Sequence, residues 1–594
     1  MNGLARFETA LAILPLAVMA ALVAAAFVVR QLGAGSVPGA QPLTQHLTLW
    51  VALLGAVLAA RQGKLLAIGS AAYLPDGPLR RAAPVVAGAV GAAVAALLAR
   101  AAFDMVRLDR EAGGVVALGI PIWVAQLVLP VGFGILALRL AWCASSGWVG
   151  RGIAGAAIAA AILLAAEPAW VESAPKWIGL ALLLVAAVAG SPLFALLGGA
   201  AVWLFLTDGV PIAAVPIESY RLAVHPTLPS VPLFTLTGFL LAEGKAAERL
   251  LALFRAAVGW MPGGTAVVAT LLCAFFTTFT GGSGVTILAL GALLLATLRA
   301  ETYNERFSVG LITSAGSLGL LFAPAVPLIF YGIVANVPIP DLFRAGLLPG
   351  LLMVGASAAW GLREGRRAGI GGGAFAWRDL GRAAWAAKWE IALPALVIVL
   401  LLSGRATAVE AAGASVLYAL LVGVLVQRDI SWRRLPAVLG ECTVVVGGVL
   451  LILGVALGFT SYLVDAEVPM HLLAWTQAHL GSKWAFLLML NLLLIVVGCL
   501  MDIFSATAVV VPLIAPLGLA FGVDPIHLGI IFIANLELGF LTPPVGVNLF
   551  LASYRFEKPM PEVVRAVLPF LALRAVGVLA ITYLPWLTTV FLDR

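Results

Sequence analysis

Pro338-Ile339-Pro340-Asp341-Leu342-Phe343-Arg344-Ala345-Gly346-Leu347 has a near copy far downstream, Pro559-Met560-Pro561-Glu562-Val563-Val564-Arg565-Ala566-Val567-Leu568. In both, an acidic residue follows the second proline and an Arg-Ala pair begins three positions further on. Each copy is preceded by a break in an apolar segment, Pro324-Ala325-Val326 in the first and Pro543-Pro544-Val545 in the second. Duplicated breaks inside hydrophobic segments point to a secondary transporter, where the broken helices of two related halves meet at a midplane site. The pattern predicts two inverted repeats in residues 176–594. Each should carry a re-entrant hairpin, around 269–297 and 494–521, with both tips near mid-membrane and facing each other.

Of the 594 residues, 62% are hydrophobic and 11% charged, and the mean hydropathy is +1.09. A soluble chain cannot hide that much apolar surface, so lipid must solvate most of it. The expected fold is an all-α polytopic membrane protein. At roughly 20 residues per span, its apolar blocks allow about 15 or 16 crossings plus two shorter re-entrant pieces. The 63 glycines and 34 prolines are too many for simple rods. In hydrocarbon each freed backbone group needs a partner, so such breaks belong where protein or a wet cavity supplies one. The net charge of +7 reflects orientation rather than nucleic-acid binding, because the basic residues cluster in loops between spans. Cys143, Cys273, Cys442 and Cys499 are far apart and show neither a disulfide framework nor metal spacing. The first apolar block, 11–29, reads as a retained helix rather than a signal peptide, since the next span follows quickly.

The Lys/Arg bias sets a topology with the N-terminus in the cytoplasm. Spans fall near 10–29 and 46–60, followed by a loop carrying Arg61, Lys64, Arg80 and Arg81 that should be cytoplasmic. Two more spans, near 82–100 and 117–140, complete a small four-helix region, residues 1–145. A connecting helix and an acid-tipped external loop with Glu167 and Glu172 occupy 146–175. The large region, 176–594, is denser in Gly and Pro. Its stretch 361–388 holds Arg363, Arg366, Arg367, Arg378, Arg382 and Lys388, marking a cytoplasmic linker between its halves. The small region shows no repeat and no broken helix. It should act as scaffold, pack on part of the large region and touch no substrate. Charged stretches such as 61–66 should lie at the interface with basic heads toward lipid phosphate.

The chain resembles a fused membrane component of a tripartite ATP-independent periplasmic transporter. The resemblance to the small permease subunit lies in Leu118-Gly119-Ile120-Pro121-Ile122-Trp123 through Leu136-Ala137-Leu138-Arg139. The resemblance to the large subunit rests on Leu541-Thr542-Pro543-Pro544-Val545-Gly546-Val547-Asn548-Leu549-Phe550 and Ile329-Phe330-Tyr331-Gly332. Pro232-Leu233-Phe234 and Met261-Pro262-Gly263-Gly264 add to it. It implies an inner-membrane importer driven by a sodium gradient, with Na+ as coupling ion and no organic cofactor. It also implies an elevator mechanism and a separate periplasmic substrate-binding protein that delivers a small organic acid.

Two hairpins should carry the chemistry. Thr277-Thr278-Phe279-Thr280-Gly281-Gly282-Ser283-Gly284-Val285-Thr286 is a Gly-rich turn with hydroxyls between apolar runs. Carbonyls and hydroxyls in such a turn suit a hard monovalent cation, and the half-helix after it offers N–H groups and a positive dipole end to a carboxylate. Small residues also let helices pack closely, and on the residues alone both readings fit. The resemblance favours a re-entrant tip. Its counterpart is Met501-Asp502-Ile503-Phe504-Ser505-Ala506-Thr507, where the Asp is costly unless it faces a partner or a cavity. Family members often have Asp-Pro-Thr there, and Ile503 and Phe504 replace the Pro and Thr.

The breaks follow at Thr313-Ser314-Ala315-Gly316-Ser317-Leu318-Gly319 with Ala323-Pro324, and at Asn535-Leu536-Glu537-Leu538-Gly539 with Thr542-Pro543-Pro544. Proline frees a carbonyl one turn back, so unwinding would aim carbonyls at an ion; a plain kink is the alternative. The family's first hairpin usually carries an Asp where this chain has Thr286, and Glu537 stands where the family has an apolar residue. Glu537 could restore the site's charge, carry a proton, pair with a nearby Arg, or lie at the membrane edge.

The sodium-ligand candidates are Gly282, Ser283, Ser317, Ala323, Asp502, Ser505, Glu537 and Thr542. The substrate candidates are Gly281, Gly284, Thr286, Pro324, Pro543, Pro544 and Asn548. No residue is assigned a catalytic role, and sodium is the one metal expected. A proton-coupled or binding-protein-independent carrier is the competing reading. A respiratory or enzymatic membrane subunit would call for His pairs or Cys clusters. An ATPase would call for a phosphate-binding G-x-x-x-x-G-K-[ST] loop, and the sequence contains none.

Overall fold

The computed structural model describes residues 3–33, 35–67, 74–75, 77–172 and 174–592. Among them the secondary structure is helical, apart from two isolated bridges that join Ala67 to Pro192 and Val115 to Pro121. Among the described residues, twelve helices are long and apolar enough to cross a membrane, or up to fourteen if each of two bent pairs is one span. The chain is therefore a multi-pass membrane protein. Beside these spans stand five shorter apolar helices, Leu193–Thr207 and Pro525–Gly539 among them, against the expected 15 or 16 crossings plus two re-entrant pieces. Fifteen helical residues reach about 22 Å, less than a hydrocarbon core of roughly 30 Å. Pro192 and Gly209 delimit the first of these, while Pro525 opens the second.

The chain forms two compact units. One comprises Met1–Pro232, Leu439–Leu472 and Ala508–Leu513; the other comprises Leu233–Val438, Leu473–Thr507 and Ile514–Arg594. In the first unit, helices Gly3–Gln31, Ala40–Arg61 and Val128–Cys143 are tied by polar side chains. Glu8 accepts from Arg61 at 2.9 Å and from Arg139. Arg61 also donates to the Ala5 carbonyl at 2.9 Å. The Arg61 head thus bonds inside the protein rather than to lipid phosphate, and residues 62–66 are turn and coil. Backbone contact does the rest. A Cβ on Gly55 would come within 2.3 Å of the Thr443 carbonyl oxygen, so small residues let Ala40–Arg61 and Leu435–Asp465 meet closely.

His46 Nε2 lies 2.9 Å from the Tyr220 hydroxyl, joining the region before residue 145 to helix Ala214–Ala223. A second polar knot lies just beyond Leu193–Thr207. Lys176 Nζ donates to Asp208 Oδ2 and to Tyr462 Oη, each at 2.8 Å, and Tyr462 donates to Asp208 at 2.8 Å. The Lys176 ammonium, and after it the Tyr462 hydroxyl, hold the Asp208 carboxyl below its usual range. A depressed folded pKa contributes stability above the ordinary carboxylate range, and that contribution is lost as pH falls through the folded value. The carboxylate is partly exposed, so screening limits it to about 1 kcal/mol or less. Asp208→Asn should therefore lower the melting temperature slightly at pH 7 and not at all below the folded pKa. A pH-independent difference would show that charge plays no part.

The second unit is built twice. Helix starts recur at a nearly constant offset along the chain: Ser283 and Ile503, Glu305 and Pro525, Val326 and Val547, Ile339 and Met560. Packing repeats with them. Gly319 presses on the first arm of its hairpin, where a Cβ would meet the Ala274 carbonyl oxygen at 2.3 Å. Gly539, its counterpart at the same offset, presses on Gly498, where a Cβ would meet the Gly498 Cα at 2.6 Å. The halves also interlock through aromatic pairs, Phe330 with Phe504 at 5.3 Å and Phe307 with Phe570 at 5.6 Å between ring centroids.

Candidate functional site

The first hairpin has arms Gly264–Thr280 and Ser283–Ala300. Gly281 ends the first arm at φ +68°, and a Cβ there would also strike the Val326 side chain at 2.8 Å. Glycine is needed on both counts. Gly282 is extended and opens the second arm. Thr277 Oγ1 lies 2.8 Å from Thr286 Oγ1. Continuous helix between these positions would separate them by about 13.5 Å, so the chain turns back at 281–282.

Two hydroxyls of this hairpin face the first break. Helix Glu305–Ala315 ends at Gly316, a single 3-10 turn covers Leu318–Leu321, and helix Val326–Ala335 resumes after the cis Ala323-Pro324 bond. The bend is 46°. The Gly316 carbonyl oxygen lies 2.8 Å from Thr277 Oγ1, and Thr278 Oγ1 lies 3.2 Å from the Gly319 carbonyl oxygen. Ser283 Oγ donates to Asn548 Oδ1 at 2.6 Å, bringing the tip onto the helix that follows the second break. All of these side chains are buried. The cluster is thus rich in hydroxyl and carbonyl oxygen and holds no formal charge.

The second hairpin breaks between Lys483–Leu500 and Ile503–Ala520, with Met501 extended. Asp502 is half-buried, and its carboxylate caps the second arm. Oδ1 accepts from the Phe504 and Ser505 amides at 2.9 and 3.1 Å, and Oδ2 accepts from the Ser505 hydroxyl at 2.5 Å. Capping satisfies the free N–H groups of the half-helix. The second break docks on this hairpin, where the Gly546 amide donates to the Cys499 carbonyl at 3.1 Å.

The structure brings together Ser283 with Asn548 and, through Arg574, Ser317 with Glu537. Thr286 joins Thr277 at the tip, and Asp502 pairs with Ser505. Ala323, Pro324, Pro543 and Pro544 form the breaks themselves. Thr542 Oγ1 donates to the Leu538 carbonyl at 2.9 Å. Gly284 lies against Leu551, whose Cδ1 would be 2.5 Å from an added Cβ, which makes it a close-packing position.

Sequence reasoning passed over Arg574. It lies in helix Met560–Tyr583 and is 1% exposed. Nη1 donates to Ser317 Oγ at 2.9 Å and to Glu537 Oε2 at 3.3 Å, and Nη2 donates to the Ser314 carbonyl. Of the four readings left open for Glu537, pairing with an arginine is the one observed. The missed signal was an arginine inside the apolar run 566–583, which by itself marks a functional or partnered position. A second missed group is the buried chain of Asn535 Nδ2 donating to Asn491 Oδ1 at 2.7 Å, which also accepts from Thr582 at 3.1 Å.

Residues 178–587 match the family model described as tripartite ATP-independent periplasmic transporter, DctM component, and residues 19–148 match the DctQ component. The chain belongs to the tripartite ATP-independent periplasmic transporter family. It carries the small and large permease components of that family fused in one polypeptide. Among its relatives is the isethionate TRAP transporter permease protein DctMQ of Oleidesulfovibrio alaskensis, 32% identical over 79% of this chain and 75% of that one. The C4-dicarboxylate TRAP transporter large permease protein DctM of Pseudomonas aeruginosa is 31% identical over 65% of this chain and 91% of its own. The sialic acid TRAP transporter large permease protein SiaM of Vibrio cholerae is 30% identical over 66% and 92% respectively. The solved Alcanivorax borkumensis YdaH transporter aligns at 16% identity and a TM-score of 0.42, over 61% of this chain and 87% of that one.

Proposed function

We propose that this TRAP permease imports a small organic acid across the bacterial inner membrane, driven by a sodium gradient and supplied by a periplasmic substrate-binding protein. The observation that carries the reading is the uncharged oxygen cluster of the first hairpin and break. Thr277 and Thr278 face the Gly316 and Gly319 carbonyls there, and Thr286 sits beside Thr277. Oxygen ligands without fixed charge suit a monovalent hard cation more than a proton. The organic-acid part rests on the relatives' names, which specify isethionate, C4-dicarboxylate and sialic acid, all organic anions. An elevator mechanism belongs to the same proposal, and what supports it is the division into two compact units, one of which contains both hairpin tips and both breaks. Residues 1–145 belong to the other unit and serve as scaffold.

Uptake into liposomes, with candidate binding proteins and first a sodium and then a proton gradient, tests this reading. Ser283→Ala removes the hydroxyl that donates to Asn548 and should raise the sodium concentration for half-maximal uptake by about tenfold, the loss of about one hydrogen bond to a buried partner. Membrane insertion should be unchanged. Uptake that follows the proton gradient and ignores sodium would replace sodium with proton coupling. Uptake without any added binding protein would remove the tripartite part.

A further inference from the structure

Ser317 and Glu537 are separated by the same offset that relates the helix starts of the two halves of the second unit. Each sits at the foot of its break, one on the exit from Glu305–Ala315 and the other in the last turn of Pro525–Gly539. One nitrogen, Arg574 Nη1, reaches both, at 2.9 and 3.3 Å. An atom that touches equivalent residues of both repeats lies where the two halves meet. Around the whole guanidinium are the Ser317 hydroxyl and the Glu537 carboxylate, which accept from Nη1, and the Ser314 carbonyl oxygen, which accepts from Nη2, all from fully buried residues. One carbonyl, one hydroxyl and one carboxylate are a donor set for a single monovalent cation.

The guanidinium fills this set imperfectly. Glu537 Oε1 and Arg574 Nε, both buried, have no partner among the described residues. A pair selected for arginine–carboxylate recognition would tend to use the parallel fork, with two bonds to both carboxylate oxygens. Here one carboxylate oxygen is used and the fork is divided among three acceptors. Arginine does not lose its proton in proteins, so the positive charge is permanent.

We propose that Arg574 is a built-in cation. Its guanidinium occupies a cage made by Ser314, Ser317 and Glu537, so that the cage takes no transported ion in this chain and accepts a monovalent cation once the guanidinium is removed. Two of the residues singled out as sodium ligands, Ser317 and Glu537, then serve a fixed charge instead. The chain needs one coupling cation fewer at this place than the same cage would without Arg574. The proposal rests on the sodium-coupled reading only in the choice of sodium as the probe.

The test is thermal melting of the purified full chain in detergent, with sodium chloride against choline chloride at equal ionic strength. Arg574→Ala should gain a sodium-dependent rise in melting temperature of about 5 °C between roughly 1 and 100 mM, over and above any rise in the unmodified protein. Arg574→Lys keeps a cation, and Arg574→Ala with Glu537→Ala removes the countercharge; both should respond to sodium as the unmodified protein does. Arg574→Ala that folds and shows no added response overturns the proposal. If that variant does not fold, Arg574→Gln, which keeps most of the volume, takes its place. Failure of both variants to be rescued by sodium, lithium or potassium also overturns it, because the cage must accept a small cation in place of the guanidinium. Unmodified protein whose uptake ignores sodium would defeat the preceding reading without touching this result.

Discussion

Glu537→Ala is expected to destabilise the protein by about 3–5 kcal/mol, the cost of leaving one partner of a buried ion pair without its countercharge. The cause is location rather than strength of attraction. The Glu537 and Arg574 side chains are 0% and 2% exposed, so neither has water to fall back on. Arg574 would keep Ser317 and the Ser314 carbonyl, and these two neutral acceptors do not offset a full charge. Replacing the pair together, by Glu537→Leu with Arg574→Met, should recover most of the loss, since apolar residues of similar volume often match or exceed a buried pair. Melting of the single and double variants in one detergent measures both terms. A single-variant loss below about 1 kcal/mol, well under the range for a broken buried pair, would mean that the guanidinium is already solvated. The pair would then carry little of the stability.

The duplication was legible because it is written in backbone-breaking residues. The Pro-x-Pro, the acidic residue after it and the Arg-Ala pair keep their spacing in both halves, and they act locally, so a single sequence displays them. The first hairpin was legible only with the help of the resemblance, because Gly281 and Gly282 fit close helix packing as well as a turn until Gly281 is seen at φ +68°. The hydroxyls around it were legible as a group, though not which carbonyls they would meet. Thr277 finds Gly316 and Thr278 finds Gly319 only once the break has folded back on the arm. The partner of Glu537 was hidden for a different reason. Arg574 lies on another helix, and no local pattern encodes a pairing that tertiary packing makes. Asp502 was legible as an acid in apolar surroundings but not as a cap, because Ile503 and Phe504 gave no hint that the helix would restart at once. Composition shows that a block is apolar, whereas its helical length depends on where Gly and Pro end it.

Gly319→Val should abolish uptake and cost at least about 1–3 kcal/mol of stability, the range for overpacking a site that cannot yield. An added Cβ would lie 2.3 Å from the Ala274 carbonyl oxygen and 2.4 Å from the Thr278 amide nitrogen. Both are backbone atoms of the hairpin arm, so no side chain can rotate out of the way. The arm must move, and with it Thr277 and Thr278, whose hydroxyls face the break. The symmetry of the fold makes this a paired prediction. Gly539→Val meets the Gly498 Cα at 2.6 Å and the Cys499 amide nitrogen at 2.9 Å, so it should act in the same direction at the second hairpin and somewhat less strongly. Gly355 supplies the comparison. It lies inside helix Ile339–Arg367 of the same unit with no atom within 4 Å of an added Cβ. There Gly355→Ala should be neutral or stabilising by up to about 1 kcal/mol, the gain in helix propensity alone. Uptake and melting measured on the three variants separate the two causes. Equal effects at positions 319 and 355 would mean that the close approach at 319 carries no cost of its own and that the first break is not seated on its hairpin through this contact.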